Sequence, residues 1–188
     1  MVARAQQAEW TLSEAARLLK EPQHRLIYLC ERQVVVPDYG DAEGRGSSRR
    51  FSSRNLLEFA LALRLRQLTI PVGTVAAIVH VLRGFEKSVA EYLEGFGLAD
   101  GLRRKGGPEL RIIISDGEYL YFTLGLRGQK PKLFGGIDFR QLTTQRKRPR
   151  ISERDLRTVD KFGGPEGSHY ARVEIDVTRL AKDLPLAS

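Results

Sequence analysis

Gln23, His24, Arg25 and Tyr28 fall close together, and Arg45, Arg49 and Arg50 follow in the turn-rich run Gly44-Arg45-Gly46-Ser47-Ser48-Arg49-Arg50-Phe51-Ser52. Amide, imidazole and guanidinium groups so grouped can hydrogen-bond the edges of bases. Guanidinium and hydroxyl groups, that of Thr11 included, can hold phosphate oxygens. The local charge favours an anionic partner. Between residues 45 and 66 six arginines (45, 49, 50, 54, 64 and 66) stand against the single acid Glu58. A second basic stretch, residues 127 to 150, has eight Lys and Arg against Asp138, but no recognition motif accompanies it, and its Gln145–Arg150 part is as well explained as a solvated linker. The whole chain of 188 residues carries a formal charge of +8, which suits a polyanionic partner.

The elements that must position these groups can be read from spacing. Thr11 or Ser13 can cap a first helix whose apolar residues Leu12, Ala15, Ala16 and Leu19 recur at threes and fours. Pro22 fits the first turn of a second helix, where Leu26, Leu29 and Cys30 form one stripe and Gln23, His24, Arg25 and Tyr28 the opposite face. Two short helices so joined match a helix-turn-helix, whose second helix enters the major groove N-terminal end first. They match equally well two helices of an ordinary small core with a solvated face. Residues 37–48 read as a loop, Arg49 to Phe51 as part of a short hairpin, and Leu56, Phe59, Ala60 and Leu63 as a third helix ending near Leu68.

This ordered series resembles the DNA-binding domain of the MerR family of transcriptional regulators. Trp10-Thr11-Leu12 stands where that family has an aromatic, a threonine and an apolar residue, and Ala16 falls on its alanine. Tyr28, Pro37, the Arg49-Arg50-Phe51-Ser52 run, Asn55-Leu56, Phe59, Arg66, Leu68, Val72 and Val75 continue the match, and only the loop between Pro37 and Arg49 is free in length. Ile27 replaces an arginine that holds a phosphate, and Gln33 and Thr69 replace glycines, which marks a divergent branch similar to MerR-like antitoxins and phage regulators. The resemblance implies a winged helix-turn-helix that binds double-stranded DNA. Gln23, His24 and Arg25 would read bases, and Thr11, Tyr28, Arg45, Arg49 and Arg50 would hold phosphates. It further implies a homodimer on a palindromic promoter site whose DNA it distorts.

From Pro71 onward Val75, Ile78, Leu82, Phe85, Val89, Tyr92 and Phe96 alternate spacings of three and four, the pattern of a coiled-coil seam. Gly84 is expected to divide this stretch into two helices. By resemblance, Phe85, Val89, Tyr92 and Phe96 join two subunits; the alternative is that the stripe packs on the chain's own reading domain. After Gly106-Gly107-Pro108 the period changes to two. Leu110, Ile112 and Ile114, the turn Asp116-Gly117, and Leu120, Phe122 and Leu124 predict a β-hairpin. Residues 133–139 predict a third strand, Val173, Ile175 and Val177 a fourth, and Ser152 the start of a helix ending at Gly163-Gly164. The fold class expected is α+β: a lead-in over 1–9, a reading domain over 10–83, a linking helix over 84–105 and a β-rich domain over 106–188. That last part is read as the seat of a protein partner, as in an antitoxin or phage adaptor, or of a small-molecule effector beside Tyr119, Tyr121 and Phe134.

Other chemistries find no motif. His24, His80 and His169 stand apart and Cys30 is the single cysteine, so no metal or other cofactor and no internal disulfide is expected. Cys30, on the apolar stripe, reads as a structural thiol. No nucleophile elbow, phosphate-binding loop or kinase signature occurs, and an enzyme is not expected. Without a run of about eighteen apolar residues no membrane span is expected, and a cytoplasmic location is the default.

Overall fold

Helix α1 (Leu12–Leu19) begins where its first orphan N–H groups find a side chain. Thr11, rather than Ser13, is the cap: its Oγ1 accepts from the Glu14 N–H at 3.3 Å while Glu14 Oε2 accepts from the Thr11 N–H at 2.7 Å. This computed structural model describes residues 9–39, 49–92, 96–138 and 171–186. Arg45, the basic run 145–150 and the helix expected from Ser152 lie outside the described residues. Helix α2 (Gln23–Glu31) starts one residue later than the proline suggests, because Pro22 is its cap, its carbonyl accepting from the Arg25 N–H at 3.0 Å. The chain then leaves through Gln33, at φ 54°, and returns in extended pieces that bridge Tyr39 to Arg50 and Phe51 to Trp10.

Helix α3 (Ser53–Gln67) repeats the capping box with Ser52 and Asn55. Leu56, Leu57, Phe59, Leu61, Ala62 and Leu65 are all buried, so the helix is wrapped on most of its circumference and not along one stripe. Phe51 from the neighbouring extended piece meets Phe59 with ring centroids 5.3 Å apart.

Helix α4 (Val72–Tyr92) corrects the expected division at Gly84, through which it runs unbroken. A helical glycine costs about 1 kcal/mol, and burial of Leu82 and Phe85 on either side outweighs that. Two of the four residues expected to join subunits, Phe85 and Val89, also lie elsewhere. Val75, Ile78, Leu82, Phe85 and Val89 are buried within the single chain, and Phe85 stacks on Phe122 (4.9 Å) and meets Phe134 edge-on (5.3 Å). Phe85 and Val89 are therefore spent on the chain's own core. Phe96 is half-buried against Gly101, and the side chain of Tyr92 is outside the described residues.

After the short α5 (Leu98–Arg103) come strands β1 (Glu109–Ser115), β2 (Tyr119–Gly125), β3 (Lys132–Asp138) and β4 (Arg172–Asp176), in the antiparallel order β3-β2-β1-β4. Asp116 and Gly117 take φ of 52° and 67°, the left-handed pair a type I′ turn requires, though Ser115 pairs with Tyr119 so that Glu118 joins the loop. Leu110, Ile112, Ile114, Leu120, Phe122, Leu124 and Ile175 share the face that continues the helical core. Tyr121 is buried and Phe134 packs on Phe85, so these aromatics are packing residues and not an open pocket wall.

The fourth strand is shorter than its alternation suggests. Val177 opens helix α6 (Val177–Asp183), because Asp176 caps it by accepting from the Arg179 N–H at 2.8 Å. Thr178 Oγ1 accepts from the Leu110 N–H at 2.7 Å and ties this helix to β1. The fold is thus α+β, with six helices and one four-stranded antiparallel sheet among the described residues, none of these helices being long and apolar enough to cross a membrane.

Phe85→Ala should lower the unfolding free energy by ~3–5 kcal/mol in denaturant titration, with the same loss at every protein concentration. A loss that grows on dilution would return Phe85 to a subunit interface.

Candidate nucleic-acid interface

The N-terminal end of α2 points its polar side chains outward. Gln23, His24 and Arg25 are exposed, and Arg25 Nη1 reaches Glu21 Oε2 at 3.0 Å, an exposed pair of small worth that a stronger anion can displace. Tyr28 is exposed one turn on, with the Arg32 guanidinium 5.3 Å from its ring centroid. A shallow groove runs between the start of α1, this face of α2 and the extended piece before α3, lined by Thr11, Ser13, Gln23, Ile27, Cys30 and Arg49 among others. Three residues expected to act together, Thr11, Gln23 and Arg49, thus converge from three segments.

One of the expected contacts, Thr11, has other work. The Thr11 hydroxyl is engaged in its own cap, at 2.8 Å from Glu14 Oε2, and those bonds from Thr11, with smaller help from Arg50 and Arg17, hold the Glu14 carboxyl below its ordinary range. Arg50 is half-buried and its backbone is fixed by the bridge to Tyr39 (3.1 and 3.3 Å). Arg49, by contrast, is exposed on the groove. Cys30 is half-buried, and burial pushes its thiol up to about 11 despite the opposing charge of Arg49, so it is a neutral thiol near pH 7.

Behind the extended piece that leads into α3 lies a buried polar network. Asn55, fully buried, uses all its capacity: Oδ1 accepts from the N–H groups of Asp38 (3.0 Å) and Ser52 (3.2 Å), and Nδ2 donates to the Val36 carbonyl and to Glu58 Oε2, both at 3.0 Å. The Arg83 guanidinium from α4 grips both oxygens of Glu58 and donates to the Val36 carbonyl at 2.8 Å. Asp38 takes a hydrogen bond from Ser52 Oγ and a fork from Arg54 (2.6 and 3.2 Å), and Arg54 Nη1 goes on to Glu86 Oε2 at 3.0 Å. Glu86 Oε1 finally accepts from the Leu98 N–H at 2.8 Å. Residues 36–38, on the way from α2 to the bridge strand, are therefore welded to α3, α4 and the start of α5.

Burial pushes the Glu58 carboxyl above its ordinary range, against the pull of Arg83 and Asn55. Burial would raise Asp38 too, but hydrogen bonds from Arg54 and Ser52 and the charge of Arg54 more than offset it and hold Asp38 below its usual value. Sequence reasoning missed this network. Its one local signal is Glu58 itself, an acid set among Leu56, Leu57, Phe59 and Leu61. No protein-family model matches the chain, and no curated protein matches it.

Arg83→Met should cost ~3–5 kcal/mol, since it strands the buried Glu58 carboxylate, Glu58→Leu should cost less because the Arg83 it leaves is only half-buried, and the double variant should cost much less than their sum. Additive losses would mean that the two side chains are not a unit. For Asp38, whose carboxyl is depressed in the folded chain, the stabilisation is present above the unfolded value of about 3.9 and disappears as pH falls through the folded value. Asp38→Asn should accordingly lower stability near pH 7 and flatten its decline below about pH 4, read from denaturant midpoints across pH.

Proposed function

We propose that the chain is a sequence-specific DNA-binding regulator of the MerR-like class, a winged helix-turn-helix with α2 in the major groove and a wing whose base is the Tyr39–Arg50 bridge. The observation that carries this is the groove lined by both Gln23, from the N-terminal end of α2, and Arg49, from the extended piece before α3, with His24 and Arg25 exposed on the same helix end. A major-groove helix needs base-reading donors at its N-terminal end and phosphate-holding cations beside it, and both are on this face.

The departures from the family pattern support the same backbone. Gln33 and Thr69, standing where the family has glycine, take φ of 54° and 60°, the left-handed geometry that glycine adopts without cost. His80 Nε2 lies 3.1 Å from the Gln33 carbonyl, which helps hold that turn. In this reading Gln23, His24 and Arg25 read base edges, while Tyr28, Arg49 and Arg50 hold phosphates, with Arg45 assigned to the wing by resemblance alone. Pairing of two chains on an inverted repeat is part of the proposal, but its surface lies away from the internal Phe85 and Val89.

Arg49→Ala should weaken binding to specific and random duplexes alike and reduce the salt slope, d log K/d log[salt], by ~0.9, the share of one phosphate. Arg25→Ala should leave that slope nearly intact and lose ~1–3 kcal/mol of discrimination at one base pair. Identical behaviour of the two variants in fluorescence-anisotropy titrations over a range of salt would contradict this division of roles.

A further inference from the structure

Ile27 is a large apolar side chain left 38% exposed in the middle of the polar face of α2. It lies one turn after Gln23, so the two occupy the same strip of the helix, and both line the groove with Thr11, Ser13 and Arg49. Arg49 brings one exposed cation to this groove from the extended piece before α3, and Glu31, one turn after Ile27, is an exposed acid. An apolar side chain placed against phosphates would displace their water and give no hydrogen bond in return, so this position is poorly suited to the DNA backbone. The major groove offers one apolar group, the 5-methyl of thymine, and aliphatic side chains recognise it by contact.

Resting on the DNA-reading function above, we propose that Ile27 is a specificity-determining residue that reads a thymine 5-methyl group in the major groove. Gln23, one turn earlier, has the amide geometry for N6 and N7 of an adenine. The strip Gln23–Ile27 therefore selects A·T-containing steps. Shielding one methyl group from water against Ile27 amounts to about a fourfold change in affinity, the equivalent of ~0.8 kcal/mol.

The test starts from the preferred duplex selected from a random-sequence library by the full-length protein. Each thymine in it is then replaced in turn by deoxyuridine, which removes the methyl and nothing else. For the wild-type chain one thymine should lose about fourfold in affinity on this replacement. For Ile27→Ala, whose exposed position should leave the melting temperature within a degree or two, thymine and uracil at that position should bind equally. Sequence-specific binding with no methyl-sensitive thymine, or with a sensitivity that Ile27→Ala retains, overturns the role of Ile27 and leaves the DNA-reading function standing. Failure to enrich any sequence overturns both.

Discussion

A carboxylate buried in the middle of a helix has to be answered by a cation, and the answer to Glu58 organises this molecule. Arg83 reaches it from α4, and the same guanidinium caps the Val36 carbonyl, so that the segment leaving α2 is pinned between α3 and α4. Asn55 completes the arrangement with four hydrogen bonds, two of them to backbone groups of Val36 and Asp38 that no regular element would satisfy. An apolar core of similar volume could be as stable as such a pair. The polar version adds directionality: the Val36 carbonyl and the Asp38 N–H are each held by a buried side chain. The 36–38 segment leads directly to Tyr39, which bridges to Arg50.

The network also continues to the start of α5. Arg54 holds Asp38 on one side and Glu86 on the other, and Glu86 caps the backbone of Leu98. Helix α4 acts as a spine, packing on α3 and placing Phe85 in the stacked cluster with Phe122 and Phe134. The N-terminal helices and the β half thus share one core, and α6 closes it by packing on α3, α5 and β1. Burial of Phe85 and Val89 inside this core is the reason the coiled-coil-like spacing does not leave a free seam.

Local patterning carried much of this architecture into view. The two short helices, the third helix and the hairpin at Asp116-Gly117 are legible because caps, helical spacing and paired left-handed turn residues are all written within a few positions. Periodicity says that a residue is buried, though not against what, and so the stripe on α4 could be read as a subunit interface when its partner is a sheet nearly forty residues further on. Gly84 misled for a related reason, since propensity is a small local term that tertiary burial overrides. The alternation through Val173, Ile175 and Val177 hid the start of α6, which only the capping carboxylate of Asp176 announces. At the candidate site the exposed residues of α2 and Arg49 were legible by type and spacing. The network behind them was not, because its members come from positions 36 to 98 and meet only in three dimensions.

The most direct test of the account is capture of sheared native genomic DNA by the purified full-length chain at physiological salt, followed by sequencing of what is retained. The account predicts that the retained fragments share a short sequence, enriched well above the salt-sensitive background that a basic protein shows on any duplex. Retention that follows fragment length alone, with no shared sequence, would contradict it.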